Sequence, residues 1–235
     1  MKYACYVGTK NVYADIIPSL KSLLIHSDVD KVFLLIEDDE FPYPVPSCVQ
    51  PINVSGQKWI LPDGPNYSTI KWTWMTMMRA CLPMLLPSID LILSLDNDTI
   101  VDQDISRIWD LPIGDAYYSA TREPKKSLGG VWEQVPLFTQ MGIVLYNLKA
   151  LRDGKAEEVV RALNSKRYIF AEQDAFNELC QGRIYPMPAD YNVNEFTEPT
   201  NTPKIYHFAA TNGRWRNFDI VRRYRDIPWS EIRQV

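Results

Sequence analysis

Two aspartates that close an apolar run are the residues of this sequence best suited to chemistry. Between residues 89 and 95 five side chains are large and aliphatic, and the chain then reads Asp96-Asn97-Asp98. In an extended chain, residues two apart point to the same side, so both carboxylates could bind one hard cation such as Mn²⁺ or Mg²⁺. Alternatively, one aspartate caps the turn or the following helix while the other is solvated.

A second group of polar residues lies near the end of the chain. His207 follows the apolar run "IY", and a neutral imidazole there would suit Mn²⁺. Without the acidic pair, His207 would be interpreted more simply as a histidine that packs and forms hydrogen bonds near the surface. Gly213 lets the backbone approach a ligand closely, and Arg214 or Arg216 could hold phosphate oxygens through paired hydrogen bonds. A metal beside such a diphosphate site predicts phosphoryl chemistry or a nucleoside diphosphate leaving group.

The spacing of apolar residues predicts the elements that must position these groups. Apolar runs predict strands at residues 3–7, 31–37, 89–95, 115–121, 141–147 and 204–208. Helical spacing predicts helices at 12–25, 68–81, 156–163 and 172–180, with one or two turns at 104–111. Because Pro18 lies inside the first pattern, we expect the regular helix there to begin only near Pro18. The proline-rich stretch 38–65 is expected to be a loop with room for one short strand.

This alternation of strands and helices predicts an α/β fold of the Rossmann-like kind. The sheet should be mainly parallel and flanked by helices, with ligands gathering at the carboxyl ends of its strands. At 235 residues the chain is long enough for one substantial core, and we expect a single domain over 1–235. Residues 214–235 form a basic, aromatic, helical segment in this interpretation.

Composition and charge exclude several classes of protein. The formal net charge of -4 argues against a nucleic-acid partner. No run of eighteen apolar residues predicts a membrane span, and the first residues read directly into a strand rather than a secretory signal. The four cysteines have no CxxC spacing, which favours reduced thiols in a cytoplasmic protein over zinc ligands or a disulfide framework.

Five segments, in their order along the chain, resemble the motifs of the retaining family 8 glycosyltransferases. They are "VGTKNVYADII", "STIKWTWM", "LSLDNDTIVDQDISRIWDL", "TQMGIVLYNLKAL" and "AEQDAFNEL", and the region around His207 and Gly213 resembles the closing motif of that family. The resemblance covers nearly the whole chain and implies the GT-A type of nucleotide-sugar-binding fold. Four segments depart from the family pattern: "QMG" stands where an asparagine-containing triplet is usual, and Glu172 replaces an aspartate. The segment "SATREP" has Arg122 and Glu123 near the place where the family often carries an aspartate, and the last motif has arginines and no K-P-W.

The resemblance implies a role for each of the matching residues. Tyr13 would stack on uracil, and Asn97 would lie against the ribose. The base pocket would be lined by Val7, Gly8 and Thr9. The metal ligands would be Asp96, Asp98 and His207. The diphosphate would be contacted by Gly213 together with Arg214 or Arg216. The donor sugar would lie near Gln140, Met141 and Gly142. The catalytic residues would be Lys71, Gln173 and Asp174, with Gln173 facing the reacting carbon of the sugar.

The function implied by this resemblance is metal-dependent transfer of a hexose from a UDP-sugar to an acceptor hydroxyl, with retention of configuration. Mn²⁺ or Mg²⁺ would be the cofactor, and the acceptor a glycan, a glycolipid or a protein. Two alternatives stay open: a catalytically silent nucleotide-sugar-binding protein on the same fold, and a haloacid-dehalogenase-like phosphatase, which also ends a strand in D-x-D. Against the phosphatase, this sequence has no match for the second acidic pair that such enzymes carry on a later strand. In addition, Ile100 occupies a position that is normally threonine or valine in that family.

The C-terminal segment could contact a membrane or simply pack on the core. Residues 214–235 contain six arginines and three acidic residues interleaved with aromatic side chains. Such a segment could rest on an anionic membrane at the inner face of the cell, which would suit a lipid-linked acceptor. Packing of its aromatic residues on the core, with solvated arginines, is the preferred interpretation. Loops at 38–65 and 125–134 are the expected places for acceptor contacts.

Overall fold

The computed structural model describes residues 1–68, 73–124, 135–197, 200, 202–209 and 211–232. Most of its strands form one seven-stranded sheet. Its strands are β1 Tyr3–Val7, β2 Lys31–Ile36, β3 Val49–Asn53, β4 Leu91–Leu95, β6 Tyr118–Arg122, β7 Thr139–Asn147 and β8 Ile184–Pro186. A separate two-stranded ribbon consists of β5 Thr99–Val101 and β9 Ile205–His207.

The helices lie on both faces of this sheet. They are α1 Tyr13–Ile25, α2 Trp74–Met77, α3 Leu82–Leu85, α4 Leu148–Leu151, α5 Lys155–Ser165, α6 Glu172–Leu179 and α7 Asp219–Asp226. Short 3₁₀ turns occur at Lys10–Val12, Met78–Cys81, Ile108–Asp110, Ala189–Tyr191, Arg214–Asn217 and Trp229–Glu231.

The sheet is mixed but mostly parallel, as expected. In the strand order β3-β2-β1-β4-β7-β6-β8, the first four strands run parallel to one another, and β6 runs parallel to β8. Strand β7 is antiparallel to both β4 and β6. The carboxyl ends of β1 and β4, which carry Gly8 and Asp96 just beyond them, therefore lie at the same edge of the sheet. This edge is where ligands bind in open α/β sheets.

Alternation of side chains along the strands divides the core into two layers. Tyr6 and Leu34 pack with the residues of α1 on one face. Cys5 and Leu35 pack with α2, α3, α5 and α6 on the other face. The central strands are buried on both faces, which explains why they read as continuous apolar runs in the sequence. The flanking of the sheet by helices is confirmed, whereas the single-domain organisation of residues 1–235 stays a prediction.

The antiparallel ribbon explains how the end of the chain reaches the acidic pair. In its register Thr99, the residue after Asp98, pairs with His207. The amide of Phe208 donates a hydrogen bond to the carbonyl oxygen of Asp98 at 3.0 Å. The pairing joins segments that are about a hundred residues apart, so no local pattern in the sequence indicates it.

Two of the predicted helix boundaries are wrong. Helix α1 begins at Tyr13, with Pro18 inside it, and not near Pro18. Proline removes one backbone hydrogen bond, and here burial of one face of the helix against the sheet outweighs that loss. The second predicted helix begins at Trp74, because Ser68 forms an isolated bridge with Thr73.

The remaining predictions for the elements agree with the structure. The strands and the later helices lie within a few residues of their expected positions. All four cysteines are free and buried. Among the described residues, no helix has the length and apolar character needed to cross a bilayer. The expected acceptor loop at 125–134 lies outside the described residues, as does Lys71.

Candidate active site

A cavity of about 270 Å³ opens at the carboxyl ends of β1 and β4. It brings together most of the site residues predicted from the sequence. Those that line it are Val7, Gly8, Thr9, Asp96, Asn97, Asp98, Gln140, Met141, Gly142, Gln173 and His207. These residues come from five separate segments of the chain, so the cavity is a product of the fold and not of any single motif.

The acidic pair and the histidine form one compact cluster in this cavity. His207 Nε2 lies 3.3 Å from Asp98 Oδ1 and 3.6 Å from Asp96 Oδ2. One ligand atom from each residue lies within 4.8 Å of the other two. His207 is 3% exposed, while both carboxylates keep partial access to the cavity.

The donor set fits a hard or borderline divalent cation. Adjacent ligands of an octahedral ion with bonds of about 2.1 Å lie roughly 3 Å apart, close to the separations found here. Two carboxylates and one imidazole match the preference of Mn²⁺, and oxygen-rich sites also bind Mg²⁺. The three side chains that would hold the ion are Asp96, Asp98 and His207.

The charges and the burial of the cluster shift the pKa of each of its three groups. Burial raises the pKa of Asp96, although Arg79 and His207 oppose the shift. Burial also acts to raise the pKa of Asp98, but the charge of His207 and its hydrogen bond lower that pKa overall. Burial alone would lower the pKa of His207, whereas the charge of Asp98 raises it overall. The three groups thus influence one another's pKa, and a divalent cation among them would place positive charge beside both carboxylates.

Arg79 is a central residue of the site that the sequence analysis missed. Its Nη2 donates to Asp96 Oδ1 at 2.5 Å, and its Nη1 donates to the Met141 carbonyl oxygen at 2.7 Å. Nη1 also lies 3.5 Å from Glu172 Oε1. Arg79 thus holds one oxygen of Asp96 and leaves the other oxygen facing His207. The sequence signal that could have indicated Arg79 is its position as the one charged residue in the apolar run "WMTMMRACL". A charged side chain buried in such a run requires charged or polar partners.

Glu172 is buried against this arginine at the start of α6. Burial raises its pKa, and the charge of Arg79 opposes that shift. The longer side chain that replaces the family's aspartate is therefore joined to Arg79 by an ion pair.

Only a glycine fits at position 142, because the ring of His207 packs directly against the backbone of β7 there. A Cβ atom built on Gly142 would lie 2.2 Å from His207 Cε1, which no real contact allows. The carbonyl oxygen of Gly142 also accepts a hydrogen bond from the amide of Asp96 at 2.7 Å. This glycine therefore touches two of the three metal-ligand candidates.

Gln173 and Asp174 differ in what they contact. Gln173 lines the cavity, its Oε1 accepts from the Met141 amide at 3.3 Å, and its Nε2 lies 3.5 Å from Glu123 Oε2. Asp174 points away, and its Oδ2 accepts from the amides of Ile169 and Phe170, both at 2.9 Å. Asp174 therefore orders the turn before α6 and does not line the cavity.

Several residues assigned to the nucleotide do not line the cavity in this structure. Tyr13 is buried, and its hydroxyl donates to Asp38 and accepts from the Glu37 amide. Val12, one residue earlier, lines the cavity instead. A missed residue, Asn192, is buried and contacts His207.

The arginines after His207 are occupied by other partners. Arg216 forms a two-bond ion pair with Asp15 at 2.5 and 2.6 Å, which raises its pKa, and the charge of Asp98 contributes to the same shift. Arg214 donates from Nε to the carbonyl oxygen of Thr211 at 3.1 Å. Gly213 adopts a positive φ of 81°, and Arg216 folds back over it.

Comparisons with known proteins agree with this architecture. The family model described as glycosyl transferase family 8 matches residues 63–216. Similar solved structures include the bifunctional glycosyltransferase WbbM, with a TM-score of 0.67, 17% identity, and coverage of 89% of this chain and 45% of that one. No curated protein matches the sequence significantly.

Two further structures are similar along almost the whole chain. The glycosyltransferase GlyE of Streptococcus pneumoniae TIGR4 has a TM-score of 0.71, 18% identity, and coverage of 97% of this chain and 61% of that one. The galactosyltransferase LgtC in complex with donor and acceptor sugar analogues has a TM-score of 0.66, 16% identity, and coverage of 98% of both chains. This chain thus spans 45% of WbbM and 61% of GlyE.

The mostly parallel seven-stranded sheet, with its cavity at the carboxyl ends of the strands, has the GT-A fold of glycosyltransferases. The match of the family model over more than half of the chain then defines the family. The chain belongs to glycosyl transferase family 8.

Proposed function

We propose that this glycosyltransferase moves a hexose from a UDP-sugar to an acceptor hydroxyl on a glycan, a glycolipid or a protein, with a divalent metal and with retention of configuration. The observation that carries this proposal is the approach of His207 to within 3.3 and 3.6 Å of the acidic pair. When bound there, Mn²⁺ or Mg²⁺ would neutralise charge on the departing diphosphate.

The remaining residues would bind and orient the donor. Val7, Gly8 and Thr9 line the cavity on the side assigned to the base. Asn97 lies between the two aspartates in the sequence and also lines the cavity. Arg216 would contact the diphosphate only as the family resemblance implies, because in this structure it pairs with Asp15 and does not line the cavity. Lys71 would add further positive charge, as the family resemblance implies. Fixed positive groups around a developing anion are often the largest catalytic contribution.

Gln173 would face the anomeric carbon of the sugar. A carboxamide is a poor nucleophile, so a covalent intermediate on Gln173 is disfavoured. We therefore propose attack from the face that the diphosphate leaves. The bond from the anomeric carbon to the phosphate oxygen breaks, and a bond to the acceptor oxygen forms on the same face. The acceptor proton passes to the departing phosphate, so the products are UDP and the glycoside, and no separate base is needed.

UDP release from a panel of donors tests this proposal. With Mn²⁺, at least one of UDP-glucose, UDP-galactose and their N-acetylated forms should give UDP and a product of retained configuration. Asp98→Asn should reduce turnover about a hundredfold, comparable with the loss of one group that stabilises a developing oxyanion. Asp63→Asn, which changes an exposed aspartate, is the matched control. Unchanged turnover in Asp98→Asn would remove the metal site from the mechanism.

A second candidate is a nucleotide-sugar-binding protein without transferase activity. Two residues favour this candidate, Glu172 and Gln140. In the family, the residues at these positions normally contact the sugar, whereas here both side chains bond to protein groups. Calorimetric binding of UDP without release or transfer across many donors would favour this candidate. The phosphatase alternative has no support from the family match or from the similar structures.

A further inference from the structure

Two buried side chains, Gln140 and Asn192, form a hydrogen-bonded relay from the backbone of β7 to the far side of the His207 ring. Gly142 donates its amide hydrogen to Gln140 Oε1 at 2.6 Å, and Asn192 Nδ2 donates to the same oxygen at 2.7 Å. Asn192 Oδ1 lies 3.1 Å from His207 Nδ1. Gln140 is 9% exposed, Asn192 1% and His207 3%.

The direction of every hydrogen bond in this relay is fixed at its backbone end. A backbone amide can only donate, so the atom of Gln140 that faces Gly142 must be the carbonyl oxygen Oε1. That oxygen requires a donor from Asn192, which places Nδ2 toward Gln140 and Oδ1 toward the histidine. His207 must then carry its hydrogen on Nδ1, which leaves the lone pair of Nε2 for the acidic pair and a metal in the neutral ring.

The backbone holds the two ends of the relay in fixed positions. His207 donates its amide hydrogen to the Val193 carbonyl oxygen at 2.8 Å, and Val193 donates to the Ile205 carbonyl oxygen at 2.9 Å. Asn192 therefore lies directly beside β9 and needs no rearrangement to reach the ring. Gly142 contributes twice, because it orients Gln140 and its Cα packs against the ring of His207.

We propose that Gln140 and Asn192 are positioning residues that fix the tautomer and orientation of His207 for metal binding, an inference that rests on the proposed metal site. Gln140 then acts on the histidine through Asn192, because both hydrogen bonds to its Oε1 come from protein groups. Such partners of a metal-bound histidine typically change metal affinity or activity by 10–100-fold when they are removed.

Two substitutions of similar size at Gln140 separate this role from simple packing. Gln140→Leu removes the acceptor and should weaken Mn²⁺ binding about 10–100-fold. Gln140→Glu keeps an oxygen for both donors and should bind Mn²⁺ within a few-fold of the wild type, or more tightly. A packing role predicts the opposite order, because a buried carboxylate is less tolerated than leucine.

The measurement is the affinity for Mn²⁺ alone, taken from the loss of the free-ion signal in electron paramagnetic resonance, with no donor present. Asn192→Leu should weaken binding as Gln140→Leu does. Asn66→Leu is the matched control, because Asn66 is equally buried and bonds to Leu163, Lys166 and Tyr168 instead. Circular dichroism establishes that each variant is folded, and Gln140→Leu decides the question if Asn192→Leu does not fold.

The outcomes distinguish this inference from the proposed function. If the wild type binds Mn²⁺ and Gln140→Leu binds it equally well, the positioning role is wrong. If that variant changes only the KM for the donor, Gln140 is a sugar contact. If the wild type itself does not bind Mn²⁺, the metal site of the proposed function is wrong and the relay has no ligand to position.

Discussion

Asp96 and Asp98 were recognisable in the sequence because an apolar strand that ends in two carboxylates needs an explanation. Their partners were only partly recognisable. His207 was proposed as a ligand from its residue type and from the family resemblance, and the structure places it beside the pair. Arg79 and Asn192 were missed, because each acts through contacts to residues that are distant in the sequence.

Gly142→Ala should impair the metal site without removing any ligand. The new methyl group would occupy the place of the imidazole ring, 2.2 Å from Cε1, so His207 must move away from the acidic pair. We expect Mn²⁺ affinity to fall at least about tenfold, as for other losses of ligand support. Gly56→Ala is the control, since nothing lies within 4 Å of a Cβ at that position. Equal Mn²⁺ affinity in the two variants would show that the ring is not held by this contact.

Gln173→Ala should slow transfer while leaving UDP affinity nearly unchanged. The side chain lies in the cavity against Met141 and Glu123, on the part of the site assigned to the sugar. The expected loss of turnover is about a hundredfold, by analogy with other groups that stabilise developing charge. Single-turnover kinetics and calorimetry with UDP measure the two effects, with the exposed Gln103→Ala as control. A large loss of UDP binding would contradict the assigned role.

At the scale of elements, the buried strands were predicted best, because strands covered on both faces read as apolar runs. The start of α1 was predicted wrongly, since tertiary packing tolerates Pro18. The β5–β9 ribbon could not be predicted as a pair, because its two strands lie about a hundred residues apart.

Helix α7 is joined to the rest of the fold by a hydrogen-bonded network at its buried face. Tyr224 donates its hydroxyl hydrogen to Asp102 Oδ1 at 2.7 Å, and His26 Nε2 lies 2.8 Å from the same hydroxyl oxygen. Because the tyrosine hydrogen is already committed, His26 must donate from Nε2. Burial lowers the pKa of His26 below its ordinary value, and Asp102 opposes this shift.

His26→Gln should make stability less sensitive to mild acid. A histidine with a lowered folded-state pKa stabilises the protein above its ordinary pKa of about 6.5, and this stability is lost as the pH falls through the folded-state pKa. The free energy of unfolding in urea, measured near pH 7.5 and near pH 5.5, should therefore fall more in the wild type than in the variant. His207 has a raised pKa and the opposite pH dependence, but it is present in both proteins and cancels in the difference. An identical pH dependence in both proteins would contradict the role of His26.

At the scale of the whole molecule, the chain returns β9 and His207 to the sheet edge where the acidic pair lies. The order of strands and helices in the sequence predicted the fold class and the edge of the sheet at which the site lies. It did not predict the pairing of β5 with β9, which brings His207 to the acidic pair and is visible only in the three-dimensional structure. The cytoplasmic location expected from the sequence stays a prediction.

The C-terminal segment should not bind membranes. Trp215 and Tyr224 are buried, and four of the described arginines pair with acidic residues of this chain: Arg216 with Asp15, Arg222 with Asp219, Arg223 with Asp102 and Arg225 with Asp226. Little unpaired charge is left to attract an anionic surface. We expect no sedimentation with vesicles rich in phosphatidylserine at low salt. Sedimentation that is lost in the double variant Arg222→Glu, Arg225→Glu would contradict this expectation.

Calorimetric titration of UDP, with and without Mn²⁺, tests most directly whether a divalent ion at Asp96, Asp98 and His207 anchors the donor. We predict one UDP bound per chain in the presence of Mn²⁺, and an affinity at least about tenfold weaker without the ion or in Asp98→Asn. Equal affinity for UDP with and without Mn²⁺, or in Asp98→Asn and the wild type, would contradict the account.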